Sequence, residues 1–163
     1  MATQNFNGIM GEKQMEEAYL PMKQRNIGIL FGQEGRRPKH SETRWDSEEL
    51  LVAYEDEILH ACTNMKKDGN FFILSAAWKE AFLKGGKVMK RFCPRLVTMR
   101  LPAGNGVNIY LINAHWPDDS KPLALREAFQ RRLETAISEA KSDDLMVMGG
   151  GLECMHGHQR QSQ

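Results

Sequence analysis

Almost no net charge separates the 22 basic from the 21 acidic side chains of this 163-residue chain, a formal +1 at pH 7. A dedicated nucleic-acid binder carries an overall basic footprint, so any affinity for phosphate must be local. Cysteine is scarce too: Cys62, Cys93 and Cys154 are widely spaced and odd in number. That argues against a disulfide framework and against a Cys-x-x-Cys zinc site, and for a reducing intracellular compartment, nucleus or cytosol. No apolar run approaches the roughly 20 residues that span a bilayer, and the start M-A-T-Q-N-F-N-G lacks the basic and apolar regions of a leader. A soluble chain without a membrane partner is expected. There is no internal repeat and no low-complexity tract, and the length suits one domain.

What is present reads as short elements. Residues 13–24 place Met15, Ala18, Tyr19 and Met22 at helical spacing, but Pro21 interrupts the pattern and predicts a weak or kinked helix. N-I-G-I-L-F-G, 26–32, is a strand buried on both faces. The polar stretch 33–44, with Pro38, reads as a loop. After a charged segment over 46–57, E-I-L-H-A-C-T (57–63) and N-F-F-I-L-S (70–75) form a hairpin across K-K-D-G. A-A-W-K-E-A-F-L-K is a short helix stopped by Gly85 and Gly86, residues suited to a left-handed cap. R-L-V-T-M-R-L and V-N-I-Y-L-I-N-A are strands joined through Asn105-Gly106, the strongest hairpin signal in the chain. Ser120 to Lys141 is the clearest helix, with Ser120 as cap, Pro122 in the first turn, and Leu125, Ala128, Phe129, Ala136, Ile137 and Ala140 on one face. L-M-V-M is a last short strand, ending in Gly149, Gly150 and Gly151. Residues 154–163 are expected to be a disordered tail. Strands in hairpins with inserted helices define an α+β or layered chain with mostly antiparallel sheets; the strict alternation of a Rossmann-type fold is absent.

The three glycines invite a phosphate-cradle reading, but neither Lys nor Ser/Thr and no helical pattern follows them. A flexible strand exit is the simpler account. Glu34, leaving a buried strand after Gln33, is placed to hold a divalent metal through oxygen, or is an ordinary loop glutamate. Asn5 could be a polar ligand or a plain terminal residue. His115, at a strand end in N-A-H-W-P, could contact phosphate or take part in acid–base work, or simply pack beside Trp116. Cys154, His156 and His158 have a spacing that could touch a metal, but a loose tail does not preorganise ligands. Arg36, Arg37 and Lys39, with His40 and Arg44 and with Lys84, Lys87, Lys90, Arg91 and Arg95 further on, could line a nucleic-acid backbone or be scattered solvated charge.

Taken in order, T-Q-N-F, N-I-G-I-L-F-G-Q-E, G-N-F-F-I-L-S, P-R-L-V-T-M-R-L-P, I-Y-L-I-N-A-H-W-P and L-M-V-M-G-G resemble the endonuclease/exonuclease/phosphatase (DNase I-like) family. The likeness is greatest to the endonuclease domains of LINE-type (RTE-like) retrotransposons and of host proteins derived from them. It runs over nearly the whole chain to about Gly149. It implies the N-terminal two-thirds of a two-sheet β-sandwich flanked by helices, over residues 1–153. It also implies an ancestral Mg²⁺-dependent hydrolysis of DNA phosphodiesters. On the resemblance, Asn5 and Glu34 support the metal, and His115 stands where the family has a tyrosine near the scissile phosphate. The family's Gly-Asp-Phe-Asn motif aligns its Asp with Gly150 and its Asn with Leu152, so both functional groups are lost. The later strands and the Asp-His pair of the family have no counterpart. The resemblance therefore implies an inactive domain whose half sandwich leaves strand edges for another chain to complete.

Overall fold

The computed structural model describes residues 1–5, 17, 20–34, 41–45, 50–54 and 69–151, and of 41–45 and 50–54 only the backbone. The chain is α+β. Its strands are β1 (Ala2–Asn5), β2 (Ile29–Gln33), β3 (Ser41–Trp45), β4 (Leu50–Tyr54), β5 (Phe71–Leu74), β6 (Met89–Cys93), β7 (Leu96–Gly104), β8 (Val107–Ala114) and β9 (Asp144–Gly149), with helices α1 (Ala76–Lys84) and α2 (Leu123–Ser138). They form a five-stranded sheet, β1-β2-β5-β4-β3, and a four-stranded sheet, β6-β7-β8-β9. Pairing is antiparallel except at β1–β2 and β8–β9, which are parallel.

The two sheets pack face to face. Alternate residues of β2 and β5 (Ile29, Phe31, Phe72 and Leu74) meet alternate residues of β7 and β8 (Val97, Met99, Leu101, Ile109 and Leu111) in one core, and Phe82 of α1 closes it. The period of two sends the remaining β7 and β8 side chains to the opposite face, as it must. There Leu96, Tyr110, Ile112 and Ala114 pack under Phe129 and Ala136 of α2. The Tyr110 hydroxyl donates to the Ala136 carbonyl at 3.1 Å and pins the helix to the sheet. β2 is buried at all five positions, as its continuous apolar run predicts.

Some elements depart from the sequence reading. Residues 41–44 are not loop: Ser41–Trp45 is a strand, because it pairs antiparallel with Leu50–Tyr54, itself a strand inside the segment read as merely charged. β5 is flanked by β2 and β4. Both of its edges are thereby taken; the expected strand at 57–63 and the 154–163 tail lie outside the described residues. β6 is a strand that polar M-K-R-F-C did not announce. Pro21 lies within a helical turn at 20–24, where its carbonyl accepts from Arg25 N–H at 3.1 Å. Gly86, at φ +82, takes the left-handed position after α1, whereas Gly85 does not. Asn105 and Gly106 both have positive φ, the turn their sequence specifies.

Helix α2 starts later than expected. Ser120 does not cap it; its backbone N–H and hydroxyl instead go to the Asp118 carboxylate, and Pro122 is the N-cap. The buried stripe is also narrower than the six-residue face read from sequence: Phe129 and Ala136 are buried, with Leu133 and Ala140 packed beside them. Leu125 is 54% exposed and Ile137 37%.

One ion pair ties the parallel edge strand down. Arg100 on β7 reaches across β8 to Asp144, donating from Nε at 3.1 Å and Nη2 at 2.9 Å, and also reaches the Glu139 carbonyl. Burial opposes the charge on Asp144, yet the Lys141 backbone N–H and the Arg100 guanidinium outweigh it and hold the carboxyl below the ordinary 3.8. A depressed carboxyl stabilises the fold fully above its unfolded value, and this contribution drains as pH falls through the lower folded value. Arg100→Ala is therefore expected to lower stability by about 2 kcal/mol at neutral pH, the scale of hydrogen bonds to a charged group. Asp144→Asn is expected to flatten the acid limb of the stability curve. Urea denaturation across pH checks both; an unaltered acid limb in Asp144→Asn would remove the linkage.

Candidate functional site

At one end of the sandwich the chain ends of β1, β2, β8 and β9 converge. β1 runs parallel to β2 with Asn5 in register with Gln33. β2 stops at the next residue, where Glu34 adopts φ +55, a left-handed conformation uncommon outside glycine. The kink turns the Glu34 side chain back toward β1, and Asn5 Nδ2 donates to its Oε1 at 3.0 Å. β8 ends at Ala114, and the following His115 is held by its own backbone N–H, which donates to the Arg95 carbonyl at 2.8 Å. Its imidazole, 3% exposed, brings Nε2 to 4.0 Å from the same Glu34 oxygen.

Three buried amides fix these ends. Asn113 Nδ2 crosses from β8 to the other sheet and donates to the Gly32 carbonyl at 2.9 Å and the Phe71 carbonyl at 2.8 Å. Gln33 Nε2 donates to Asn113 Oδ1 at 3.2 Å, to the Phe31 carbonyl at 3.0 Å and to Thr3 Oγ1 at 3.1 Å. Asn70 Nδ2 donates to the Arg95 and Asn113 carbonyls at 2.8 and 3.0 Å. Gln33 and Asn113 each precede a candidate site residue by one or two positions, so the network sets where Glu34 and His115 stand. Sequence reasoning passed over Asn70 and Asn113. Their signal was an amide at the start or near the end of an otherwise apolar strand, where burial obliges it to find partners.

The glycine run borders the same place. Gly151 offers its carbonyl to Trp116 N–H at 3.3 Å, and a Cβ there would stand 3.4 Å from His115 Cδ2 and 3.9 Å from Gln33 Oε1. Gly150 differs. At φ +143, any Cβ would fall 1.7 Å from the Ala114 carbonyl oxygen, a separation that no side chain can take. Gly150 thus sits in a backbone that leaves no room for a side chain, while Gly151 borders His115 and Gln33.

The site thus brings together Asn5, Glu34 and His115, with Gly150 and Gly151 alongside; Arg36, Arg37, Lys39, His40, Leu152, Cys154, His156 and His158 lie outside the described residues. For Mg²⁺, which prefers oxygen in octahedral array, the set offers one carboxylate and one amide, and that amide already hydrogen-bonds the carboxylate. Among the described residues no three His, Cys, Asp or Glu side chains group as metal ligands. Glu34, with Asn5 bonded beside it, is the carboxylate that would hold such an ion. No protein-family model matches the chain, and no curated protein matches it.

Gly150→Ala is expected to cost more than about 2 kcal/mol, because φ and the Ala114 carbonyl both oppose it, while Gly151→Ala costs less than about 1 kcal/mol. Equal effects in chemical denaturation would contradict the backbone placement. Asn113→Ala, leaving two buried carbonyls without donors, is expected to cost about 3 kcal/mol by the same measurement.

Proposed function

We propose that this chain is an endonuclease/exonuclease/phosphatase-like domain of retrotransposon type, DNase I-like in fold, that no longer hydrolyses phosphodiester bonds. One observation carries the reading: Asn5, Glu34 and His115 meet at the strand ends, beside a glycine whose backbone leaves no space for a side chain. The order of the six sequence segments and the face-to-face packing of two sheets support the same family.

Hydrolysis of a phosphodiester needs a group to orient and deprotonate water and a clamp for the charge that develops on phosphate. Glu34 is committed to Asn5 and stands near His115. With glycine at 150 and leucine at 152, the proposed site lacks the aspartate and the asparagine that those two tasks require. His115 retains a capacity to donate a hydrogen bond to phosphate. What remains is a surface able to meet nucleic acid without cutting it, with DNA as the partner and Arg36, Arg37 and Lys39 as backbone contacts. A second reading, a non-catalytic protein-interaction module, is favoured by the apolar edge that β9 exposes.

Incubation of the purified chain with supercoiled plasmid and Mg²⁺ is expected to give no nicking, and Gly150→Asp is expected not to restore it. Nicking that vanishes in Glu34→Ala would overturn the proposal. DNA binding is expected to weaken with salt, and Arg36→Ala/Arg37→Ala should lower the slope of log K against log salt by roughly two, about one for each phosphate no longer neutralised. A double variant with an unchanged slope would remove these arginines from the interface.

A further inference from the structure

We propose that β9 is the contact strand for a second copy of this chain, paired antiparallel across a two-fold axis so that the two four-stranded sheets join edge to edge. This stands apart from the reading as an inactive nuclease and survives its failure.

The edges of the four-stranded sheet differ. β6, at one edge, carries Lys90 and Arg91 and breaks register between Arg91 and Cys93. Charges and bulges of this kind keep an edge from pairing. β9, at the other, has none of these: its register with β8 is unbroken from Asp144 to Gly149, with neither lysine nor proline. Its side chains are apolar and open on both faces, with Leu145 58% exposed, Met146 45% and Met148 47%.

Charge selects the occupant. The single ionised side chain of β9, Asp144, is 0% exposed and bound to Arg100. Among the described residues the exposed charges nearby, Lys141 and Asp143, lie before the strand, whereas Gly150 and Gly151 follow it. An antiparallel mate of the same sequence brings Gly150 and Gly151 against those charges, so among the described residues no like charges meet. A strongly acidic or basic segment would find no counter-charge along the strand. A short neutral apolar strand suits it, and β9 is itself such a strand.

The register follows from the pleat. Val147 faces the core between the sheets, so Met146 and Met148 face the other way. In a continuous sheet, residues opposite one another share a face. A two-fold axis at Val147 sets Val147 against its equivalent, Met146 against Met148 twice, and Leu145 against Gly149. An axis at Met146 would instead set Met148 against Asp144, whose carboxylate is committed to Arg100. The first register pairs methionine with methionine, a flexible contact suited to open apolar surface. Two strands of six residues fall well short of the roughly 1,600 Å² of a standard interface, so the dimer is a weak one.

Sedimentation velocity on the full chain, over about 1 to 200 µM, is expected to show monomer giving way to dimer and to nothing larger. Met146→Lys/Met148→Lys should weaken association at least about tenfold, with an unchanged Tm. A mixture of Met146→Cys chains with Met148→Cys chains should form a disulfide-linked dimer on oxidation beyond that of the unsubstituted chain, while either variant alone should not. That readout decides the matter even if the lysine variant fails to fold. A monomer throughout, association indifferent to the lysines, growth beyond two copies, or cross-linking of either single variant as efficient as that of the mixture would overturn the proposal. A monomer that instead captures a different strand would overturn it too, leaving β9 an edge for another partner.

Discussion

The Asn113 amide holds the sandwich in a single alignment. Two apolar faces of Leu, Ile, Val and Phe can slide and repack with modest loss, since dispersion and area burial are not directional. A buried amide is directional. Asn113 satisfies two carbonyls of the opposite sheet and receives Gln33 in return, so displacing either sheet would break several buried hydrogen bonds. Each buried group left unpaired costs about 1–3 kcal/mol. The sheets are therefore locked at one end, and that end carries Glu34 and His115. Their 4.0 Å approach follows from the lock.

Where the chain's own pattern is strong, the fold was legible. Ile29–Gln33, the Asn105-Gly106 hairpin and Asp144–Gly149 follow from continuous apolar runs and from a turn whose φ values few other residues accept. Ser41–Trp45 and Met89–Cys93 were illegible for the opposite reason: polar edge strands exist through pairing with a neighbour, and a local window holds no trace of the neighbour. α2 shows a third case. Its apolar residues cover more of the circumference than the sheet buries, so the pattern located the helix but overstated its buried face.

The site was partly legible. Glu34 and His115 are polar residues leaving apolar strands, Asn5 enters through the family resemblance, and the fold brings all three to one place. The amides that position them escaped notice because an Asn or Gln inside a strand looks like a lapse in hydrophobicity until the partner carbonyls, dozens of residues away in sequence, are known.

Gly150 exposes the limit of reading a motif by letters. If an aspartate once stood there, its replacement by glycine deletes a carboxylate, and the simplest expectation is that restoring the residue restores the group. The backbone argues otherwise. Glycine admits φ +143, and the chain has used that freedom to bring residue 150 against the Ala114 carbonyl. The side-chain position is occupied by the strand that delivers His115. Function at such a site needs room for a group as well as its chemistry, and here the room is gone. The strand that ends in this closed corner, β9, is also the one whose outer edge is open and apolar. The chain thus leaves no room for a side chain just past one end of β9, and along its length β9 keeps an open apolar edge.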